Sequence, residues 1–136
     1  MPALVEALAA RPEVLDAYVF GSHARGAATA SSDLDVAVYV EPALAPASLF
    51  GYAADLAAVV GRAASQRHVD IVVLNQAAPL LYHRVIAGGV RIFARDLEAA
   101  TTREGRALSR YCDYLPQIRR VDAALASRLA AGTFGR

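Results

Sequence analysis

At 136 residues the chain has the length for one hydrophobic core and not for a second catalytic lobe. Its formal net charge of +1 gives no overall field to draw in nucleic acid, and its single cysteine, Cys112, excludes an internal disulfide and a cysteine-rich zinc site. All 14 basic residues are Arg, which excludes a P-loop, a kinase-type strand lysine and Schiff-base chemistry. Any phosphate bound here must be held by Arg, by backbone N–H groups or by metal. No apolar run approaches a membrane span and no basic-then-apolar leader opens the chain, so a cytoplasmic protein without membrane contact is expected.

In chain order, Pro2 to Ala10 carries Leu4, Val5 and Leu8 at helical spacing, and Pro12 ends that helix. Val14 to Phe20 reads as a strand that delivers Gly21-Ser22. His23 to Ala28 suits a short helix with its N-terminus toward an anion, and Thr29 to Ser32 a small polar loop. Asp33 to Val40 reads as a second strand, apolar on both faces beyond its carboxylates and therefore central. After a proline-punctuated connection (Glu41 to Pro46), Ala47 to Ala64 forms the best helix of the first half, with Leu49, Tyr52, Leu56, Val59 and Val60 in one stripe.

His68 to Asn75 reads as a buried strand with Asp70 near its start. An unpaired carboxylate in such a strand costs several kcal/mol, so Asp70 needs a partner or an ion, unless it stands at the strand start in water. Pro79 to Ala87 is helical, Gly88-Gly89 stops it, and Val90 to Ala94 is a short final strand. From Leu97 to Ala131 the pattern is helical with a break at Pro116. Its apolar positions Leu108, Tyr111, Leu115, Ile118, Val121, Leu125 and Leu129 recur at spacings of three and four, and Gly132 to Arg136 frays. These elements predict an α/β (α+β) fold: a small mixed sheet of about four strands covered by helices. Residues 1–96 form the domain, and 97–136 a helical tail packed on that domain or on a partner. From Arg103 to Leu129 the tail reads as a docking helix pair more than a core element, with the alternative that it folds back on the sheet.

The chemistry concentrates between Gly21 and Asp35. Side chains alternate along a strand, so Asp33 and Asp35 project from one side, a pair of hard oxygen donors suited to Mg²⁺ on a nucleoside triphosphate. Gly21 lets backbone approach a phosphate, and Ser22 adds an N–H and a hydroxyl at a tight turn. Arg25 follows as a bidentate phosphate clamp or a plain surface residue. Alone, the Ser-Asp-Leu-Asp run also suits a solvated turn. His23 reads as a turn residue, His68 as a strand-start residue or a neighbour of Asp70, and His83 with Arg84 as helix residues within conceivable reach of a nucleotide.

Gly21-Ser22, ten residues, then Asp33-x-Asp35 resembles the signature of the polymerase-beta-type nucleotidyltransferase superfamily, specifically over Val14 to Arg95. The short chain and the HARG and SDLD wording resemble the minimal nucleotidyltransferases, the MNT antitoxins paired with HEPN ribonuclease toxins. The resemblance implies a site in which Asp33, Asp35 and Asp70 bind two Mg²⁺ ions while Gly21, Ser22 and Arg25 receive the triphosphate of ATP. It further implies attack on the α-phosphate, a choice that composition alone leaves open against γ-phosphoryl transfer. The implied partner is a HEPN toxin, adenylylated on a tyrosine and so silenced; direct nucleic-acid binding is not expected. None of the three His has an Arg five residues before it, so the ribonuclease motif of the toxins is absent. Two alternatives stand: an antitoxin acting by binding without catalysis, and a small-molecule nucleotidyltransferase of the aminoglycoside-modifying type.

Overall fold

Two apolar strands, β1 (Val14–Phe20) and β2 (Leu34–Val40), pair antiparallel and become the interior of a four-stranded sheet ordered β3-β2-β1-β4. β3 (Val69–Val73) joins β2 in parallel, and β4 (Val90–Ala94) joins β1 antiparallel, so the sheet is mixed. A parallel pair needs a crossover, which α2 (Leu49–Ala64) supplies; α1 (Pro2–Ala9), α3 (Pro79–Gly88) and α4 (Leu97–Ala130) complete the fold. The structure, a computed structural model, describes residues 2–26, 32–44 and 49–130.

Alternation along β2 sorts the two faces. Leu34, Val36, Val38 and Val40 are buried against Leu4 and Leu8 of α1 and Tyr52, Leu56 and Val60 of α2. The opposite face carries Asp35, Ala37 and Tyr39; there Ala37 and Tyr18 pack with Leu74, with Tyr82 and Val85 of α3, and with Ala107 of α4. One face is thus a conventional apolar core, while the other grades from apolar at its middle to acidic at one end.

α4 is tied to this second face by directional bonds. Asp96 accepts from the Ala99 N–H at 3.1 Å and caps the helix start, and the Arg95 N–H donates to Leu15 O at 2.8 Å. Next, Arg103 bonds Asp16 through two nitrogens, and the Tyr18 hydroxyl donates to Glu104 at 2.6 Å. Farther on, the Tyr111 ring stacks on His83 of α3 with centroids 3.7 Å apart. The anchors thus run from Leu15 through Asp16 and Tyr18 of β1 to His83 of α3. Beyond them Val121 (66% exposed), Leu125 (40%) and Leu129 (57%) meet nothing that buries them.

Several expectations are revised. His23 and its neighbours form turns over 21–26 instead of a helix, and residues 27–31, with most of the expected loop, lie outside the described residues, as do 47–48 and 131–136. β3 is an edge strand of four half-buried residues and the exposed Asp70, followed by a single 3-10 turn at Leu74–Gln76, and is not a buried strand reaching Asn75. α4 passes through Pro116 without interruption, so there is no helix pair. A proline in a helix interior removes one donor and bends the helix, at about 3 kcal/mol, without having to end it. The N-terminal half of α4 is a core element, with Ala100 and Ala107 buried, so the docking reading applies only to the half beyond Tyr111.

Two substitutions measure this division. Leu56→Ala, at a fully buried position, is expected to lower unfolding free energy by about 2–5 kcal/mol. Leu125→Ala is expected to change it by less than about 0.5 kcal/mol. Comparable losses at the two sites in denaturant titration would place the outer half of α4 in the monomer's core.

Candidate active site

β1 ends at Phe20, and the chain turns at Gly21 with φ +71°, a left-handed conformation that costs glycine little. Phe20 pairs with Asp35, which brings the turn over that carboxylate. A Cβ at Gly21 would run into Asp35 Oδ2, so no other residue fits there without displacing the acid. The Arg25 N–H donates to Gly21 O at 3.2 Å and the Gly26 N–H to His23 O at 3.4 Å, which tightens the turn over Ser22 and His23.

Two strand registers gather the acids. β2 and β3 align Asp35 with Asp70, and Asp33 precedes β2 by one residue on the side Asp35 occupies. Asp33 and Asp70 are exposed and Asp35 is half-buried. Burial, then the negative charges of Asp70 and Asp33, raise the Asp35 carboxyl above its ordinary value; His23 opposes them. Asp33 and Asp70 therefore both act electrostatically on Asp35.

The other named residues divide. Ser22 and His23 are half-buried in the turn, with His23 Nε2 at 3.5 Å from Ser32 O, across the segment that leads into Asp33. Arg25 is exposed beside them. His68 is exposed, and its carbonyl accepts from the Leu34 N–H at 3.1 Å, extending the β2–β3 ladder. His83 is taken up in the stack with Tyr111, so it serves helix packing, and Arg84 is exposed.

Asp70 stands at the start of β3 in solvent, not in an apolar interior. That acid is exposed, so desolvation does not by itself demand a partner for it. The carboxylate to which the argument applies is Asp16, 0% exposed in the middle of β1 and passed over in the sequence. Its signal was present: VLDAYVF is an apolar strand interrupted by one acid. Arg103 answers it with a two-pronged ion pair, Nε to Oδ2 at 2.7 Å and Nη2 to Oδ1 at 2.8 Å.

Among the described residues, no three His, Cys, Asp or Glu side chains are already drawn together as a metal cage. The donor set nonetheless suits Mg²⁺: every candidate ligand is a hard oxygen, and the raised Asp35 carboxyl marks excess negative charge that a divalent cation would relieve.

A glycine turn laid over one of three acids at the ends of neighbouring strands defines a class, and comparison with known proteins agrees. The family described as polymerase beta, nucleotidyltransferase matches residues 3–98, and the chain belongs to it. The fold is that of a chain in the crystal structure of a toxin–antitoxin with AMP-PNP: TM-score 0.75, 21% identity, covering 91% of this chain and 97% of that one. A chain from the complex of tri-AMPylated Shewanella oneidensis HEPN toxin with MNT antitoxin superposes with TM-score 0.69 at 19% identity, over 91% of this chain and 94% of that one. A minimal nucleotidyltransferase structure shares 34% identity over 63% of this chain and 83% of its own, with TM-score 0.51. No curated protein matches the chain by sequence.

The raised Asp35 carboxyl makes a pH prediction. A carboxyl that holds its proton more tightly folded than unfolded lowers stability as pH rises from the ordinary value of 3.8 through the raised one, and that cost is fully present at neutral pH. Asp35→Asn should therefore raise Tm at pH 7 without divalent cations, with a gain that shrinks to nothing on acidification through the carboxylate range. A variant that melts lower at pH 7, or that gains equally at every pH, would contradict the clustered-acid geometry.

Proposed function

We propose that the chain is an MNT-type protein adenylyltransferase that transfers AMP from ATP to a tyrosine of a partner HEPN-type ribonuclease toxin, and so neutralises it. The observation that carries this reading is the grouping of Asp33, Asp35 and Asp70 beside the Gly21-Ser22 turn in a chain of the nucleotidyltransferase family. Similarity in fold to one toxin–antitoxin chain solved with AMP-PNP, and to another solved with a tri-AMPylated HEPN toxin, supports the donor and acceptor classes.

In this reading Asp33, Asp35 and Asp70 hold two Mg²⁺ ions, which when bound offset the triphosphate's charge and make the α-phosphate more electrophilic. The backbone at Gly21 and Ser22, with the Ser22 hydroxyl, receives the β- and γ-phosphates, and the exposed Arg25 clamps them from the turn. Asp70 accepts the proton of the incoming tyrosine hydroxyl while its oxygen bonds the α-phosphorus; the bond to the bridging oxygen breaks and pyrophosphate leaves. Residues 1–96 supply the catalytic body, and in the tail 97–136 the outer half of α4 offers Leu115, Ile118, Val121 and Leu125 to the partner. A reaction using ATP to silence a ribonuclease belongs in the cytoplasm; no described helix is long and apolar enough to cross a membrane.

The test uses a purified HEPN-type partner protein, Mg²⁺ and ATP labelled at the α or the γ position. Label from the α position should appear on a partner tyrosine, and Asp33→Asn or Asp35→Asn should lower the rate by about a thousandfold with the fold intact. Transfer of γ label, or wild-type labelling by the Asn variants, would overturn the assignment. Separately, Ile118→Asp with Leu125→Asp should abolish capture of the partner while thermal melting stays near wild type; unfolding of that variant would instead return the stripe to the core.

A further inference from the structure

The seat of α4 on the sheet is polar where a helix seat is ordinarily apolar. Its buried apolar contribution is two small residues, Ala100 and Ala107. Alanine contacts are nearly indifferent to a small rotation or slide of the helix, so they select no register. The neighbouring bonds do. Asp16 is 0% exposed and takes both prongs of the Arg103 guanidinium, whose other side lies over the Tyr39 ring at 4.9 Å. One residue along α4, Glu104 Oε1 accepts from the Tyr18 hydroxyl at 2.6 Å and from Arg91 Nη1 at 2.8 Å. Among the described residues no buried side-chain polar atom lacks a partner, so this network is complete.

Completeness gives it a sharp optimum. A guanidinium fork bonds a carboxylate well in one plane only, and any shift of α4 leaves a fully buried charge imperfectly paired. The helix also acts as a lever: Leu125 lies 22 residues beyond Arg103, about 33 Å along the axis, so a tilt of about 10° at the seat moves it by about 6 Å.

The geometry points to the Asp16–Arg103 pair, backed by Tyr18, Glu104 and Arg91, as the device that sets the register and direction of α4 and so positions the acceptor protein at the carboxylates. This rests on the reading above that the outer half of α4 carries the acceptor. Asp16 and Arg103 are positioning residues acting through the helix, and their loss should raise the KM for the acceptor protein while leaving binding of the nucleotide unchanged.

The experiment needs a variant that folds without the pair. Arg103→Ala alone strands a buried carboxylate and is expected to unfold, whereas Asp16→Val with Arg103→Met replaces the pair by apolar side chains that the interior tolerates. Cys112, exposed on α4 and the only cysteine, takes one spin label, and a second goes on α2 through Arg62→Cys. Double electron–electron resonance should give one narrow distance in the otherwise wild-type protein and a broadened or shifted one in the double variant. Affinity for AMP-PNP should stay within about twofold, while the acceptor KM rises roughly tenfold. Arg103→Lys, which keeps the charge and loses the fork, is the second variant and should broaden the distance part-way.

A distance and acceptor KM that stay at wild-type values in either folded variant would overturn the proposal. So would a broadened distance with unchanged acceptor KM, which detaches the pair from acceptor positioning. Absence of transfer by the wild-type chain would count against the function proposed above, whereas the distance readout decides the anchoring role by itself.

Discussion

The parallel pairing of β2 with β3 sets Asp35 directly beside Asp70, on strands whose spacing is about 4.8 Å, with Asp33 two residues upstream of Asp35. Packing alone would not place three acids there. The arrangement costs stability, and the raised Asp35 carboxyl registers that cost. The valines and leucine on the reverse side of β2 hold the register: Leu34, Val36, Val38 and Val40 are buried, and a one-residue slip would turn every one of them outward. The apolar face of the sheet thus enforces a geometry that the acidic face resists. Function commonly occupies such a place, where local consistency is broken and the rest of the fold compensates.

The second face extends the same logic to a larger scale. Nearest the Gly21 turn it is acidic, and under the N-terminal half of α4 it is a closed network of Asp16, Arg103, Tyr18, Glu104 and Arg91. The helix that leaves this network carries an exposed apolar stripe, Val121, Leu125 and Leu129. Tyr18 and Tyr82, both buried here, are held neutral, Tyr82 with its hydroxyl pushed up to about 12, chiefly by burial. One chain therefore holds an acidic cluster, a closed polar network and an exposed apolar helix half.

Much of this was legible in the sequence. β1 and β4 match their expected bounds, and Asp70 was singled out as an acid in an apolar strand and by the family resemblance that Gly21-Ser22 and Asp33-x-Asp35 carry. Periodicity marks the elements, because strands and helices with a buried face must repeat it. What could not be read is set by tertiary context. β3 resembles a buried strand in composition, yet it takes an edge because nothing in five residues, four of them apolar, states how many neighbours the strand has. Pro116 reads as a stop, but in an exposed helix its cost is bearable. Asp16 was the avoidable miss: the rule applied to Asp70 applied to it with more force, and its partner stands 87 residues away, beyond any local pattern.

The central claim is that Asp33, Asp35 and Asp70 form one metal–triphosphate site beneath the Gly21 turn. Anomalous scattering from crystals grown with Mn²⁺ and AMP-PNP tests it most directly. The account predicts Mn²⁺ peaks ligated by these three carboxylates, with the triphosphate lying against the Gly21-Ser22 backbone. Ordered nucleotide bound elsewhere, or Mn²⁺ peaks that leave any of the three acids unligated, would contradict it.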